Sequence, residues 1–186
     1  NQSDEEVQLV INHITTKLLS ILMIITLIAI VIAPIIILLF AWGFYFKADA
    51  TQFNLASDML RITFPYLLLI SLTALSGSIL NTYDNFIIPA FTPVLLNISL
   101  ILSAVFLSKY LSTPIMALAW GVLIGGTIQL GFQIPFLRKI KRLPKLQFGH
   151  HKALSILRKR MLPALFGVSV SQINLLVDTM IASTLI

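Results

Sequence analysis

The chain has 186 residues, of which 58% are hydrophobic and only 11% charged, with 13 Lys and Arg against 7 Asp and Glu. A soluble domain is about a quarter charged, so this composition, with a mean hydropathy of +0.95, suits a bilayer rather than water as solvent. Cysteine is absent, which excludes disulfides, thiolate zinc sites and cysteine nucleophiles. His13 stands alone and His150 and His151 are adjacent, so none has the spacing of a metal site.

Asn1 opens the chain without the basic region and short apolar core of a signal peptide. At the other end Ile186 falls inside an apolar run without a polar exit. An internal fragment of a longer protein is the expectation.

Residues 1–17 are expected to be a polar segment on the cytoplasmic side. From Leu18 to Phe46 there is no Lys, Arg, Asp or Glu. At 1.5 Å per residue this first span, 18–46, exceeds a hydrocarbon core of roughly 30 Å and must tilt or lie partly in the interface. Pro34 is its expected kink, and Trp42 and Tyr45 fit the aromatic belt at a membrane surface. A polar connector with Lys47, Asp49 and Asp58 leads to the second span, 61–82. Arg61 marks its boundary and reads more readily as a cation snorkelling to the interface than as a substrate contact.

The third span, 86–108, opens with Pro89 and Pro93, both in its first turns, where proline is best tolerated. The fourth, 112–137, is headed by Ser112-Thr113-Pro114, the pattern of a hydroxyl cap followed by proline.

Residues 138–160 carry Arg138, Lys139, Lys141, Arg142, Lys145, Lys152, Arg158, Lys159 and Arg160 and no acid. Short basic loops stay cytoplasmic, so the fourth span should end inside, the fifth (161–186) start inside, and, counting back, the first start inside as well. The opposite loops hold only Lys47, Arg61 and Lys109, as that orientation requires. Within the basic loop Ala153, Leu154, Ile156 and Leu157 among Lys152, Arg158 and Lys159 suit either a short helix on the anionic inner leaflet or a solvated linker. The expected fold class is therefore all-α, a polytopic transmembrane bundle of about five spans.

An ionisable residue inside a span is expensive and points to function. Asp178 alone qualifies. Gly167, Ser171, Asn174, Asp178 and Ala182 follow steps of three and four and share one helical face. That small polar face suits a hydrated cavity, a cation held by carboxylate and amide oxygens, or close packing against another helix. Asn97 in the third span, and Gln129 and Gln133 one turn apart in the fourth, are neutral amides of the kind that bond to neighbouring helices. Gly121 and Gly125 form a GxxxG pattern, which is common in membrane helices. No phosphate loop, metalloprotease or hydrolase motif is present, and the basic loop lacks the interleaved aromatics of a nucleic-acid site. Neither enzymatic chemistry nor a nucleic-acid partner is expected.

The stretch Arg61-Ile-Thr-Phe-Pro-Tyr-Leu-Leu-Leu-Ile-Ser-Leu, followed by Ile79-Leu-Asn-Thr-Tyr-Asp-Asn-Phe-Ile-Ile-Pro-Ala-Phe-Thr-Pro-Val-Leu-Leu-Asn-Ile-Ser, resembles the MurJ/MviN family of lipid II flippases. Ala117-Leu-Ala-Trp-Gly-Val, Gln129-Leu-Gly-Phe-Gln-Ile-Pro and Gly167-Val-Ser-Val-Ser-Gln-Ile-Asn fit the same family in the same order. Arg61, Pro65, Asn81, Pro89, Pro93 and Asn97 are its signature residues here.

The resemblance implies a fourteen-helix, multi-pass protein of the bacterial inner membrane, with this chain as helices three to seven. It further implies movement of lipid II, the undecaprenyl-pyrophosphate-linked peptidoglycan precursor, from the cytoplasmic to the outer leaflet by alternating access. The implied partners are lipid II, membrane lipids and the missing helices, and the family's cavity cations fall mainly on helices absent from this chain. No resident cofactor is implied. Asp178 matches an acid used for sodium in some members, whereas others carry a neutral residue there, so sodium and the membrane potential are both open as the coupling source. Asp178, Asn174, Ser171 and Asn97 are the candidate pathway residues. A drug or O-antigen exporter of the same superfamily and a non-transporting scaffold for cell-wall enzymes are the rival readings, and the proline and asparagine pattern at 79–99 favours the flippase.

Overall fold

A computed structural model describes residues 2–40 and 50–149, together with Lys159, Ser169, Gln172, Asn174, Leu175 and Asp178. Trp42, Tyr45, Lys47, Asp49, the amphipathic stretch 152–158, Gly167, Ser171 and Ala182 lie outside the described residues.

The described residues form helices α1 (Gln2–Val31), α2 (Ala33–Phe40), α3 (Ala50–Thr82), α4 (Ile87–Val105) and α5 (Met116–Lys139), with a 3-10 turn at Leu107–Tyr110. α1, α3, α4 with its 3-10 turn, and α5 are each long and apolar enough to cross a membrane. α3 is central, touching α1, α2, α4 and α5, and α5 packs along both α3 and α4.

The helices of the first two spans, α1 and α3, begin earlier than the charge pattern predicts. Residues 1–17, expected as a polar segment preceding the span, are helical from Gln2 onward and continuous with it. Asp4 and Glu5 in the first turn complement the helix dipole, and Gln8, Asn12 and Thr16 find partners across the bundle, so polarity does not prevent helix. The expected single span 18–46 is instead interrupted at Ile32, two residues before Pro34. Proline removes one i→i−4 bond and crowds the carbonyl four residues back, while Ile32 and Ile36 keep theirs, to the carbonyls of Ile28 (2.9 Å) and Ile32 (3.0 Å). α3 starts at Ala50 rather than Arg61, because the connector residues are good enough helix formers to extend the span into the interface. Arg61 then sits within the helix, 3.0 Å from Asp58 one turn away.

At α5 the expected hydroxyl cap is absent. The helix begins at Met116 without a side-chain cap bond, and its first N–H groups donate to the carbonyls of Thr113, Pro114 and Ile115 in a 3-10-like entry. Both α3 and α5 close with a non-glycine residue in the left-handed region, Asp84 (φ 59) and Lys141 (φ 58). Each has a 6→1 bond across it, Asn85 N–H to the Leu80 carbonyl and Arg142 N–H to the Leu137 carbonyl, the Schellman arrangement.

The interior is small and polar, the exterior large and apolar. Thr16, Thr26, Thr73, Ser76, Thr92, Ser99, Ser103, Gln129 and Gln133 are buried, whereas Ile24, Leu27, Val31, Ile101 and Leu102 are exposed. This inversion of a soluble core follows from the solvent, since lipid offers no hydrophobic drive between helices and close backbone approach with interhelical hydrogen bonds must hold them. A Cβ on Gly125 would come within 2.7 Å of Leu96 Cδ1 on α4, and one on Gly126 within 2.6 Å of Tyr66 Cδ2 on α3. The adjacent pair therefore lets α5 approach two helices at once. A conventional apolar cluster of Ile79, Leu80 and Leu137 closes one end of the bundle.

Candidate functional site

Three polar features occupy the bundle. The deepest lies between α4 and α5. Gln129 is 2% and Gln133 1% exposed, and one helical turn separates them on the same face. Gln129 Nε2 donates to the Thr92 carbonyl and Gln133 Nε2 to Thr92 Oγ1, both at 3.0 Å. One threonine therefore receives both amides, as the expectation of interhelical bonding requires. Two turns further along, Ser99 Oγ donates to the Gly121 carbonyl at 2.8 Å. These contacts fix α4 against α5, engaging one N–H of each buried amide.

The second feature is a face of α3. In the half of that helix nearer its C-terminus, Leu67, Ala74, Ser78 and Asn81 are exposed, and with Ser71 between them they follow steps of four, three, four and three. Ser71 and Ser78 bond back to their own helix, to the carbonyls of Leu67 (2.7 Å) and Ala74 (2.9 Å). This satisfies the hydroxyl proton and leaves oxygen lone pairs facing outward. The exposed side of α4 instead carries Ile98, Ile101, Leu102 and Val105, with Asn97 as its one exposed polar side chain. Within one bundle, then, α3 presents a small polar strip and α4 a largely apolar one.

The third feature gathers the ends of α1, α3 and α5. Arg142, whose side chain is 12% exposed, donates through Nε to the Tyr83 hydroxyl and through its η nitrogens to the Asp4 carboxylate and, at 3.0 Å, the Asp4 carbonyl. Its guanidinium carbon lies 5.3 Å from the centre of the Tyr83 ring. The hydrogen bond that Arg142 donates to the Asp4 carboxylate is the first cause raising its pKa above the ordinary value, with Tyr83 adding to it and burial opposing it. The group is thus a permanent cation that ties the start of α1 to the α3–α4 turn and to the segment after α5.

The residues singled out in the sequence fall on several elements. Asn97, Asn174 and Asp178 are exposed, and Ser171 is outside the described residues. Arg61 pairs with Asp58, Asn81 and Pro93 are exposed, Pro65 is half-buried in α3, and Pro89 packs against Gly77 of α3, 3.2 Å from where a Cβ there would stand. No group of three or more His, Cys, Asp or Glu side chains able to hold a metal occurs among the described residues. Arg142, Tyr83 and Thr92 were not distinguishable in the sequence from other residues of their kind. Gln8, Asn12 and Thr16, four apart on one helical face, did carry a readable signal, since such a row in a membrane helix asks for a polar partner.

A family model described as lipid II flippase MurJ matches residues 1–186. Over 168 residues the chain is 45% identical to the probable lipid II flippase MurJ of Haemophilus influenzae, covering 87% of this chain and 33% of that protein. Its identity to the probable lipid II flippase MurJ of Vibrio cholerae is 46% over 168 residues (87% and 32%), and to the lipid II flippase MurJ of Burkholderia cenocepacia 43% over 143 residues (74% and 28%). The chain therefore spans about a third of the length of these relatives. With its polytopic helical architecture and its match along the whole sequence, the chain belongs to the lipid II flippase MurJ family.

Proposed function

We propose that this chain forms one wall of a lipid II flippase in the bacterial inner membrane, carrying the lipid-linked precursor from the cytoplasmic to the outer leaflet by alternating access. The small polar face of α3 carries this reading. A helix touched by four others that still exposes Ala74, Ser78 and Asn81 suits a hydrated cavity better than acyl chains, because the outward hydroxyl lone pairs and the Asn81 amide would find no partner in hydrocarbon. The anionic pyrophosphate and sugars would travel along that side while the polyprenyl tail stays in lipid. Transport, not bond-making chemistry, is the activity assigned, and family membership favours lipid II over the cargo of a drug or O-antigen exporter.

The positive charge of the end bearing Arg138, Lys139, Lys141, Arg142 and Lys145 supports a cytoplasmic position for that end. For ion coupling, Asp178 contributes a carboxylate and Asn174 an amide oxygen from one helix. A hard cation collects about six oxygens, so these two would supply part of a sodium shell and segments outside this chain the remainder. The membrane potential is the alternative source.

The test uses single cysteines in the full-length protein, one at Ser78 and one at the exposed apolar position Ile101. Reaction of the Ser78 cysteine with a water-soluble maleimide, slowed by lipid II, with the Ile101 cysteine inert, is the expected result. Equal inertness of both would remove the cavity wall from this face.

A further inference from the structure

The polar row on α1 determines which way the segment after α5 presents its side chains. Residues 142–148 form neither helix nor strand and run beside α1. The Leu143 carbonyl accepts from Gln8 Nε2 (3.0 Å), Lys145 N–H donates to Asn12 Oδ1 (2.9 Å), and Gln147 N–H donates to Thr16 Oγ1 (2.8 Å). Asn12 Nδ2 also donates to Gln147 Oε1 at 3.1 Å. In an extended chain neighbouring side chains point to opposite sides, so a Gln147 held on α1 turns Leu146 and Phe148 outward. They are 66% and 79% exposed.

Two large apolar side chains, two residues apart, thus project from a segment rich in positive charge. Arg138, Lys139, Lys141 and Lys145 are exposed around them. Asp4, the nearest acid with a defined contact, is engaged by Arg142, and Glu5, Glu6 and Asp84 are the other exposed acids at this end. Depth follows from the two helices that bracket the segment. It leaves α5 directly after Arg138 and Lys139, and it lies beside Thr16, where the uncharged run of α1 begins at Leu18. That is the level of lipid headgroups rather than of bulk water.

We propose that residues 138–148 are an interfacial anchor, with Leu146 and Phe148 inserted at the acyl boundary and the four exposed cations on the phosphates of anionic phospholipids. Apolar insertion and attraction to anionic headgroups reinforce one another in such segments. The zipper to α1 supplies order that a free linker lacks, so the two apolar residues enter without first being immobilised. The identity of the leaflet rests on the cytoplasmic placement above, whereas the anchor itself does not.

Nitroxide labels on single cysteines at 146, 147 and 148 of the full-length protein, in nanodiscs with phosphatidylglycerol on both faces, test the anchor independently of orientation. Labels at 146 and 148 should be more accessible to oxygen than to a water-soluble nickel complex, and the label at 147 should be shielded from both. With Lys141→Gln and Lys145→Gln the immersion should weaken by about fivefold per cation removed, and the same loss should appear when phosphatidylcholine replaces phosphatidylglycerol in the unsubstituted protein. Higher nickel accessibility at 146 and 148 would place the segment in water and overturn the proposal. Shielding of those two labels from both reagents would mean that polypeptide covers them, which overturns it equally, and immersion indifferent to lipid charge would remove the phospholipid as the ligand.

Discussion

Among the described cations of the basic stretch, Arg142 is the one whose geometry distinguishes it. It bonds at once to a phenol, a carboxylate and a backbone carbonyl, a set that needs the planar fork of a guanidinium. Arg142→Lys should therefore lower thermal stability despite keeping the charge. The Asp4 side is exposed and screened, worth about 0–1 kcal/mol, so most of the loss should come from Tyr83 and the Asp4 carbonyl. About 1–2 kcal/mol in total is expected, read as a lowered Tm in detergent, and Asp4→Asn should cost less than Arg142→Lys. Equal costs would show the ion pair, not the fork, to be the tie. The pH dependence has a definite sign. A cation with a raised folded pKa stabilises at all pH values below its unfolded value and loses that contribution only as pH rises through the raised one, so this tie should be insensitive to pH across the neutral range.

At the scale of helices, the glycines of α5 divide by what surrounds them. Gly125→Val would drive side-chain carbons into Leu96 and Ser99 of α4, and a loss of about 1–3 kcal/mol is expected from overpacking. Gly131 has nothing within 4 Å of a built Cβ, so Gly131→Ala should gain about 0.5–1 kcal/mol by stiffening the helix. Thermal unfolding of the two variants side by side checks both, and opposite signs are the required outcome. The sequence showed GxxxG but not which glycines carry contact, because that depends on the partner helix. The same limit explains the helix starts. Charge marks where a bilayer ends, not where a helix ends, so Arg61 looked like a boundary although Asp58 pairs with it inside α3. Long apolar runs and paired amides are local signals, and there the reading was sound. Gln129 and Gln133 bond across helices as their spacing suggested. Thr92 as their common acceptor required the fold.

For the whole molecule, orientation links the charge pattern to the contacts. The start of α1, the α3–α4 turn and the segment after α5 are joined through Arg142, Asp4 and Tyr83, so they lie on one side of the membrane whatever its identity. Charge then chooses the side. Lys17 on α1 joins the cations after α5 at this end, while Lys109 stands by the opposite end of α4. Asp178 belongs to the same scale because the role proposed for it is in transport by the assembled protein. Asp178→Asn there should reduce flipping while shifting Tm by less than about 2 °C, and an unchanged flipping rate with a larger fall in Tm would make the carboxylate structural.

Orientation itself is best read at Asp84 and Thr51. Both are exposed and sit at opposite ends of α3, so one helix separates the two probes and no assumption about distant segments enters. A cysteine replacing Asp84 should be inert to an impermeant reagent in intact cells and react once the membrane is opened, whereas one replacing Thr51 should react from outside. The contacts make a mixed result informative as well. If a cysteine at Lys141 labelled from the outside while that at Asp84 did not, Arg142 could not reach Tyr83 in the membrane, and the tie joining three segments would be absent from the working protein. If both labelled from outside and Thr51 did not, the bundle would be intact but inverted, and the positive-inside assignment alone would fall.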